Sequence, residues 1–540
     1  MKIAQKLTLA VLLWLIIINP GSISNIDTQR RLQMAHAWWT GAEETIANDK
    51  LNISINGKNY IPYDLRQSMM MLPGDWLGHK IGQKIVDDQE RQSLAELVIS
   101  FLIFLPLSLL AIIESFRFLK LLGYSEKLAA LSSMIFFLGS TVLFYSSFHQ
   151  QNNQIILLVL LGYETVFNFI LKKKRKFLVF SGFALGFAFL IRVTSVLHVA
   201  TVLAFLVGLI VNQQVQDIKK TDRKRALLLP ILFKVTNAII WWLVGFIPFI
   251  LLERFLTFYR YGSWFVTATS LHVQTFTKSS VANAGNAVNG IVQGEDKAIP
   301  WQEILDKLHI DSLLAPLLSP EKSIFIYDPL VIICLILAIV CWKYLSNPIR
   351  IFLSVGLINF ILHWALYSWA YAWVLHGEWG ARYHITSIHL LLLPLIPLVI
   401  QGAIKKAKKS LLSKIFSWIA KITIIFAILV QLASIILPPG LEATQQKIGA
   451  GSSLRLVQRI KNIALVANYD RYPQPQISRT LAESPGFAPN NRVTWDLFPF
   501  RFEDRVSKES SLASLIPILF ALWRILFILA IASTVWLFVS

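Results

Sequence analysis

Ser368-Trp-Ala-Tyr-Ala-Trp-Val-Leu-His-Gly-Glu-Trp-Gly-Ala-Arg-Tyr-His384 lies between two long apolar runs, which places it at a membrane surface. It holds three Trp, two Tyr, two His, one Glu and one Arg around two Gly. A plain connector between two spans needs only a few turn residues. An aromatic belt at the interface accounts for the Trp and Tyr. It does not account for Glu378, Arg382, His376 and His384 in the same turn, because ionisable groups beside a bilayer are costly unless they serve a purpose. Acid, base and cation together are what chemistry on a lipid-borne anion requires.

The rest of the chain agrees with a membrane setting. Of its 540 residues 55% are hydrophobic, with 35 Phe and 17 Trp, a composition that a soluble protein could not keep in solution. Apolar runs of spanning length begin near Lys6, Leu94, Lys127, Asn153, Phe177, Val193, Leu229, Ser323, Ile351, Tyr383, Leu411 and Ser511. They predict an all-α polytopic membrane protein of about twelve transmembrane helices (~20 residues each). The N-terminal run, behind Lys2 and Lys6, resembles a signal peptide but lacks a small-residue cleavage site, and we read it as a retained first span.

The charge of +20 is spread over short basic runs between these segments, so it speaks for topology and not for nucleic acid. If every run crosses once, Lys2, Lys6, Lys172 to Lys176, Lys219 to Arg225, Lys343 to Arg350 and Lys405 to Lys409 share one side. That side is the cytoplasm by the positive-inside rule, and both termini lie there. Three long segments lie on the outer side: 22–92, 259–322 and 438–508. Their mixed composition predicts folded, partly amphipathic structure on the membrane. Ala282 to Gly294, rich in Gly, Ala and Asn, reads as mobile. Residues 1–437 then form the catalytic module, and 438–540 an outer loop with the last span. The only cysteines, Cys334 and Cys341, stand about two helical turns apart in one apolar segment, too far for a mutual disulfide.

On the outer side this topology gathers Asp27, Asp64, Arg66, His149, Arg192, Arg260, Asp328, His376, Glu378, Arg382 and Tyr383. Asp27 follows the first span and opens a helical pattern in which Leu32, Ala35 and Trp39 share a face. It is either an N-cap or a general base held at the membrane face. Arg192 ends a Gly-rich apolar helix, where it needs an anion or a carboxylate. Asp328 precedes Pro329 and reads as a helix cap. Glu164 and Arg524, in mid-span, pair within the bundle or reach for the interface. No His-Glu-x-x-His, Cys cluster or Asp-x-Asp marks a metal, although a divalent ion held by Asp27 and a donor phosphate is compatible with these residues. No Gly-rich phosphate loop is present, which argues against a soluble nucleotide substrate.

Four stretches resemble the polytopic GT-C glycosyltransferases, a superfamily that includes protein mannosyltransferases and bacterial aminoarabinose transferases. The first is Asp27 with the later Tyr63-Asp-Leu-Arg-Gln-Ser-Met-Met-Met-Leu-Pro-Gly-Asp-Trp-Leu-Gly78, similar to a Tyr-Pro-x-Gly-Gln-Ser-Leu pattern. The second is Gly182-Phe-Ala-Leu-Gly-Phe-Ala-Phe-Leu-Ile-Arg192. The third is Leu318-Ser-Pro-Glu-Lys-Ser-Ile-Phe-Ile-Tyr-Asp-Pro329, similar to Ser-Pro-x-Lys-Gly-x-Phe-x-Tyr-x-Pro. The fourth is Trp379-Gly-Ala-Arg-Tyr383, similar to Trp-Gly-Pro-Arg-Tyr. Asp64, Arg66, Ser323 and Ala381 depart from these patterns.

The resemblance implies transfer of a sugar from a polyprenyl-phosphate carrier to a lipid, glycan or protein hydroxyl, with inversion, at the outer face of the cytoplasmic membrane. It implies Asp27 as base, with Glu378 second. Arg382 and Arg192 would hold the carrier phosphate, backed by Arg260 and His376. His149, Asp64, Arg66 and Tyr383 would line the substrate cavity. A multi-span transporter or flippase, a ligase or polymerase of lipid-linked glycans, and a non-catalytic membrane scaffold are the rival readings.

Overall fold

The computed structural model describes residues 1–42, 53–55, 58–61, 63, 65–85, 87–221, 228–265, 310–369, 378–404, 411–447, 452–467, 495–506 and 511–539. Each apolar run named above forms a helix. Among the described residues seven helices are long and apolar enough to cross a membrane, and two bent pairs bring the number to nine. The pairs are Glu126–Leu138 with Val142–Phe148, bent by 58°, and Ile385–Leu392 with Ile396–Ile404, bent by 47°. Three shorter apolar helices, Ile3–Ile18, Lys176–Ile191 and Leu330–Tyr344, complete the set. The chain is thus a multi-pass membrane protein. Large apolar side chains such as Phe233, Leu251, Ile425 and Ile528 are exposed on these helices, as a hydrocarbon solvent allows.

The helices that position the site are α1 (Ile3–Ile18), α2 (Ile26–Thr40), α3 (Arg66–Ile81), α4 (Asp88–Ile99), α5 (Leu105–Leu121), α6 (Glu126–Leu138), α7 (Val142–Phe148), α8 (Asn152–Lys172), α9 (Lys176–Ile191), α10 (Val196–Thr221) and α11 (Leu228–Tyr261). Helices α4 and α5 run together, through a π-turn at Ser100–Phe104, into one long span. A short antiparallel hairpin pairs Ile53–Ile55 with Lys58–Tyr60, with Ile53 opposite Tyr60, so the first outer segment is not helical throughout.

Close approach of backbones fixes the helix positions. A Cβ on Gly182 of α9 would lie 2.0 Å from the Trp242 carbonyl oxygen on α11, and one on Gly245 would lie 2.0 Å from the Val179 oxygen. Small residues at a crossing are how membrane helices pack without a hydrophobic driving force. On α3, a Cβ at Gly78 would lie 2.4 Å from the Ala95 Cα of α4, which seats α3 directly on the long span.

The first and last helices run antiparallel. Lys6 Nζ lies 4.2 Å from the Trp536 ring centre, and Trp523 Nε1 donates to the Ile17 carbonyl at 3.1 Å. Both ends of the described chain therefore share one end of the bundle. At the opposite end the described parts of 438–508 close over the bundle: Phe498 N–H donates to the Asn19 carbonyl at 2.8 Å, and Arg455 reaches residue 378. Cys334 and Cys341 are both free thiols. Glu164 pairs with Arg117 at 3.0 Å within the bundle. Ala282 to Gly294, Asp64, His376 and the Lys405 to Lys409 cluster lie outside the described residues, and Arg66 is described only as the first residue of α3.

Candidate active site

Asp27 occupies the first turn of α2, but it does not cap the helix. Asn25 does, its Oδ1 accepting from Thr28 N–H at 3.0 Å. The Asp27 carboxylate is therefore released from local work. Its Oδ1 accepts from Tyr63 Oη–H at 2.7 Å and its Oδ2 from Arg382 Nη2 at 2.8 Å. Arg382 Nη1 donates to Glu378 Oε1 at 2.5 Å, the i,i+4 neighbour on its own turn. One guanidinium thus joins a carboxylate of its own turn to one from α2, far away in the sequence.

The turn that carries this arginine is held on all sides. Gly380 has φ +72°, and a Cβ there would stand 3.3 Å from Tyr327 Cβ, so both backbone conformation and space demand glycine. Tyr145 Oη–H donates to the Trp379 carbonyl at 3.3 Å, and Asn152 Nδ2 to the Arg382 carbonyl at 3.0 Å. The Glu378 carbonyl accepts from Lys322 Nζ at 2.9 Å and from Arg455 Nη1 at 3.0 Å. Glu378 Oε1 also accepts from Gln150 Nε2 at 3.3 Å, whereas its buried Oε2 has no hydrogen-bond partner. Lys322 Nζ stands 3.9 Å from that oxygen.

Arg192 joins from α9. Its guanidinium carbon lies 5.6 Å from the Tyr383 ring centre, and that of Arg382 lies 5.3 Å from the same ring. Tyr383 is stacked on Tyr367 at 4.4 Å. Arg192 Nη2 is buried without a hydrogen-bond partner, so this cation has a donor in reserve.

The electrostatics follow from the geometry. Burial raises the Asp27 carboxyl, but the charges of Arg382 and Arg31 and the hydrogen bonds from Tyr63 and Arg382 outweigh it and hold the group at about 2. Burial and the neighbouring Asp27 charge push the Tyr63 hydroxyl up. Burial lowers Lys322 to about 7, with the nearby Arg455 charge adding to it and only partial relief from Glu378. Burial works against the charge on Arg382, yet Glu378, Tyr383 and Asp27 hold it firmly protonated.

Of the expected site residues, the structure brings Asp27, Glu378, Arg382, Arg192 and Tyr383 together. Arg260 stands beside them in another capacity: its Nη2 donates to the Ile61 carbonyl at 3.1 Å and its Nη1 to the Tyr63 carbonyl at 3.3 Å, fixing the segment that presents Tyr63. His149 is a buried joint. Its ring stacks on Phe104 at 4.8 Å and meets Ser100 Oγ at 3.0 Å, and its carbonyl accepts from Thr28 and Gln67. It adopts φ +56°, uncommon for a residue with a Cβ, and this directs its carbonyl at α2 and α3.

Asp328 does not cap the helix after Pro329. Its carboxylate accepts from Thr141 N–H at 2.7 Å and Thr141 Oγ1–H at 2.8 Å, capping α7 from across the bundle. Sequence reasoning did not single out Tyr63, Lys322 or Arg455 for the site. Tyr63 and Lys322 stand inside stretches already noted, so a signal existed; Arg455 lies in a segment without a motif.

No family model matches the chain, and no curated protein matches it. Solved structures similar to it include the following two. The apo oligosaccharyltransferase of Archaeoglobus fulgidus has 12% identity, covering 90% of this chain and 61% of that one, at a TM-score of 0.41. ArnT from Cupriavidus metallidurans, bound to undecaprenyl phosphate, has 12% identity, covering 90% of this chain and 81% of that one, at a TM-score of 0.40. The chain thus spans about three-fifths of the length of the oligosaccharyltransferase. Both similarities are remote.

Proposed function

We propose that this chain is a membrane glycosyltransferase that moves a sugar from a polyprenyl-phosphate carrier to an acceptor hydroxyl at the outer face of the cytoplasmic membrane, with inversion. One observation carries the reading: the four stretches that resemble GT-C enzymes, widely separated in sequence, meet in one network. They contribute Asp27 and Tyr63, Arg192, Lys322 and Arg382, and Glu378 adjoins the last of them.

The chemistry fits those groups. The acceptor oxygen attacks the anomeric carbon, its proton passes to the Asp27 carboxylate, and the bond from that carbon to the phosphate oxygen breaks. A carboxylate held at about 2 stays ionised at neutral pH, and it takes the proton late, as the attacking oxygen gains positive character. The carrier phosphate leaves with an added negative charge. Arg192, with its buried spare donor, and Arg382 stabilise that charge. Glu378 holds Arg382 in place and keeps its charge.

Proteoliposomes containing the chain should transfer labelled sugar from at least one member of a panel of polyprenyl-phosphate hexoses and pentoses. Asp27→Asn, folded and inserted, should not. Movement of lipid-linked sugar across the bilayer without transfer would instead make the chain a flippase.

A further inference from the structure

Helix α2 carries a second cluster toward its other end, where His36 is partly exposed. His36 Nδ1 lies 2.9 Å from Asp75 Oδ2, and His79 Nδ1 lies 3.2 Å from Asp75 Oδ1. The two imidazole rings face each other at 4.5 Å, tilted by 42°. Their ligand atoms and the carboxylate all fall within 4.8 Å of one another. Asp75 and His79 are four apart on α3, so they share a face, and His36 comes from α2 packed against it.

The Asp75 side chain is fully buried, and its ion-pair partners among the described residues are the two histidines. Trp39 Nε1 donates to Oδ2 at 2.7 Å, which orients the carboxylate. Oδ1 accepts no hydrogen bond. His79 Nδ1 also lies 2.9 Å from the Asp75 carbonyl.

We propose that His36, Asp75 and His79 form a site for a divalent transition metal of the zinc class, which clamps α2 onto α3. Two imidazoles and one carboxylate are the donor set that zinc takes in open sites, with water in the fourth position. Tetrahedral zinc, with bonds of about 2.0–2.2 Å, holds its ligand atoms roughly 3.2–3.6 Å apart. The His79 Nδ1–Oδ1 separation of 3.2 Å already falls in that range, and the three ligand atoms all lie within 4.8 Å of one another, so a metal needs only a modest shift of the His36 side chain. Oδ1 is the natural ligand atom, since Trp39 holds Oδ2. The His36 side chain is 35% exposed, which supplies an entry path and room for the water. Gly78, pressed on the Ala95 backbone, keeps His79 from drifting away with its helix. The competing arrangement is a buried carboxylate neutralised by protonated histidine, with no metal.

This inference is independent of the glycosyl-transfer reading. The test uses the full chain in detergent, stripped with a chelator and titrated with Co2+, whose visible absorption reports coordination. The expected result is a single tight site that zinc displaces, with absorption of four-coordinate strength. His36→Ala and His79→Ala should each weaken binding by more than the roughly 10–100-fold that loss of an outer partner costs, and Trp39→Phe by an amount within that range. Asp27→Asn should leave the titration unchanged. If the variants fail to fold, the parent decides the matter: chelator should lower its melting temperature and zinc restore it. A folded parent that binds no Co2+, variants that bind as the parent does, or a melting temperature indifferent to chelator and zinc would each overturn the site.

Discussion

Asp27 Oδ2 and Arg382 Nη2 lie 2.8 Å apart although 355 residues separate them in sequence. The contact closes α2 onto the turn before the helix Ile385–Leu392, so every group in the site is referred to it. Asp27 pairs with Arg382 and feels the charge of Arg31, whereas Glu378 stands between Arg382 and Lys322. The two carboxylates therefore differ in what their loss should do.

Asp27→Asn preserves the shape of the side chain and the Tyr63 contact, but it cannot take a proton. Transfer should fall by about a hundredfold or more with normal insertion. The parent group is held at about 2, below its usual 3.8, so its contribution to stability is complete above about pH 4 and is lost as pH falls through 2. An acid limb of the rate profile between pH 5 and 7 would belong to some other group. A rate for the Asn variant within a few-fold of the parent would remove Asp27 from the chemistry and leave it as a tie for Arg382.

Glu378→Gln and Arg382→Lys separate structure from binding. Glu378 is buried among Arg382, Lys322 and Arg455, and breaking one partner of a buried pair typically costs about 3–5 kcal/mol. The Gln variant should melt well below the parent while, where folded, keeping its KM for the lipid donor. A lysine at 382 cannot reach both carboxylates with a planar fork. That variant should raise the donor KM. Equal melting losses with unchanged donor KM in both would make the pair purely structural.

Lys322 supplies a pH test. Its folded value of about 7 lies below the ordinary 10.5, so between those values the unfolded chain holds a proton that the folded chain does not. Stability must then rise with pH over that window, and the full penalty applies below 7. The melting temperature should climb from pH 7 toward pH 10, and Lys322→Met should flatten the climb. An identical slope in both proteins would mean that the lysine is hydrated.

The membrane architecture was legible because most apolar runs are long and most connectors are charged; all twelve runs coincide with helices. The breaks inside two of them were not, since a bend at Gly139 or Pro394 leaves hydropathy unchanged. The turn from Ser368 to His384 declares a site by its own residues, and Glu378 and Arg382 do meet as i,i+4 neighbours. Tyr63 on Asp27 and Arg455 on Glu378 depend on how outer segments fold back, which no local pattern encodes. The same holds for His36 with Asp75 and His79: the ligands come from two helices, so no spacing motif exists to be found. Ser323, a departure from the GT-C pattern, acquires a reason from the structure: its hydroxyl accepts from Phe325 and Ile326 N–H and caps the turn after Lys322.

The crossing of α9 and α11 yields the last prediction. Gly182→Ala and Gly245→Ala each place a methyl 2.0 Å from a backbone oxygen of the facing helix, where no side chain can yield. The helices must separate, and each single variant should melt well below the parent. The two clashes are opposite faces of one approach, so the separation that relieves the first also makes room for the second. The double variant should lose clearly less stability than the sum of the singles, as neighbouring sites that share one backbone shift do. Arg192 ends α9, so a single variant that still folds should also bind lipid donor less well, although neither glycine touches the site. Strict additivity of the melting losses, or an unchanged donor KM in a destabilised single variant, would show that the crossing does not set the position of Arg192.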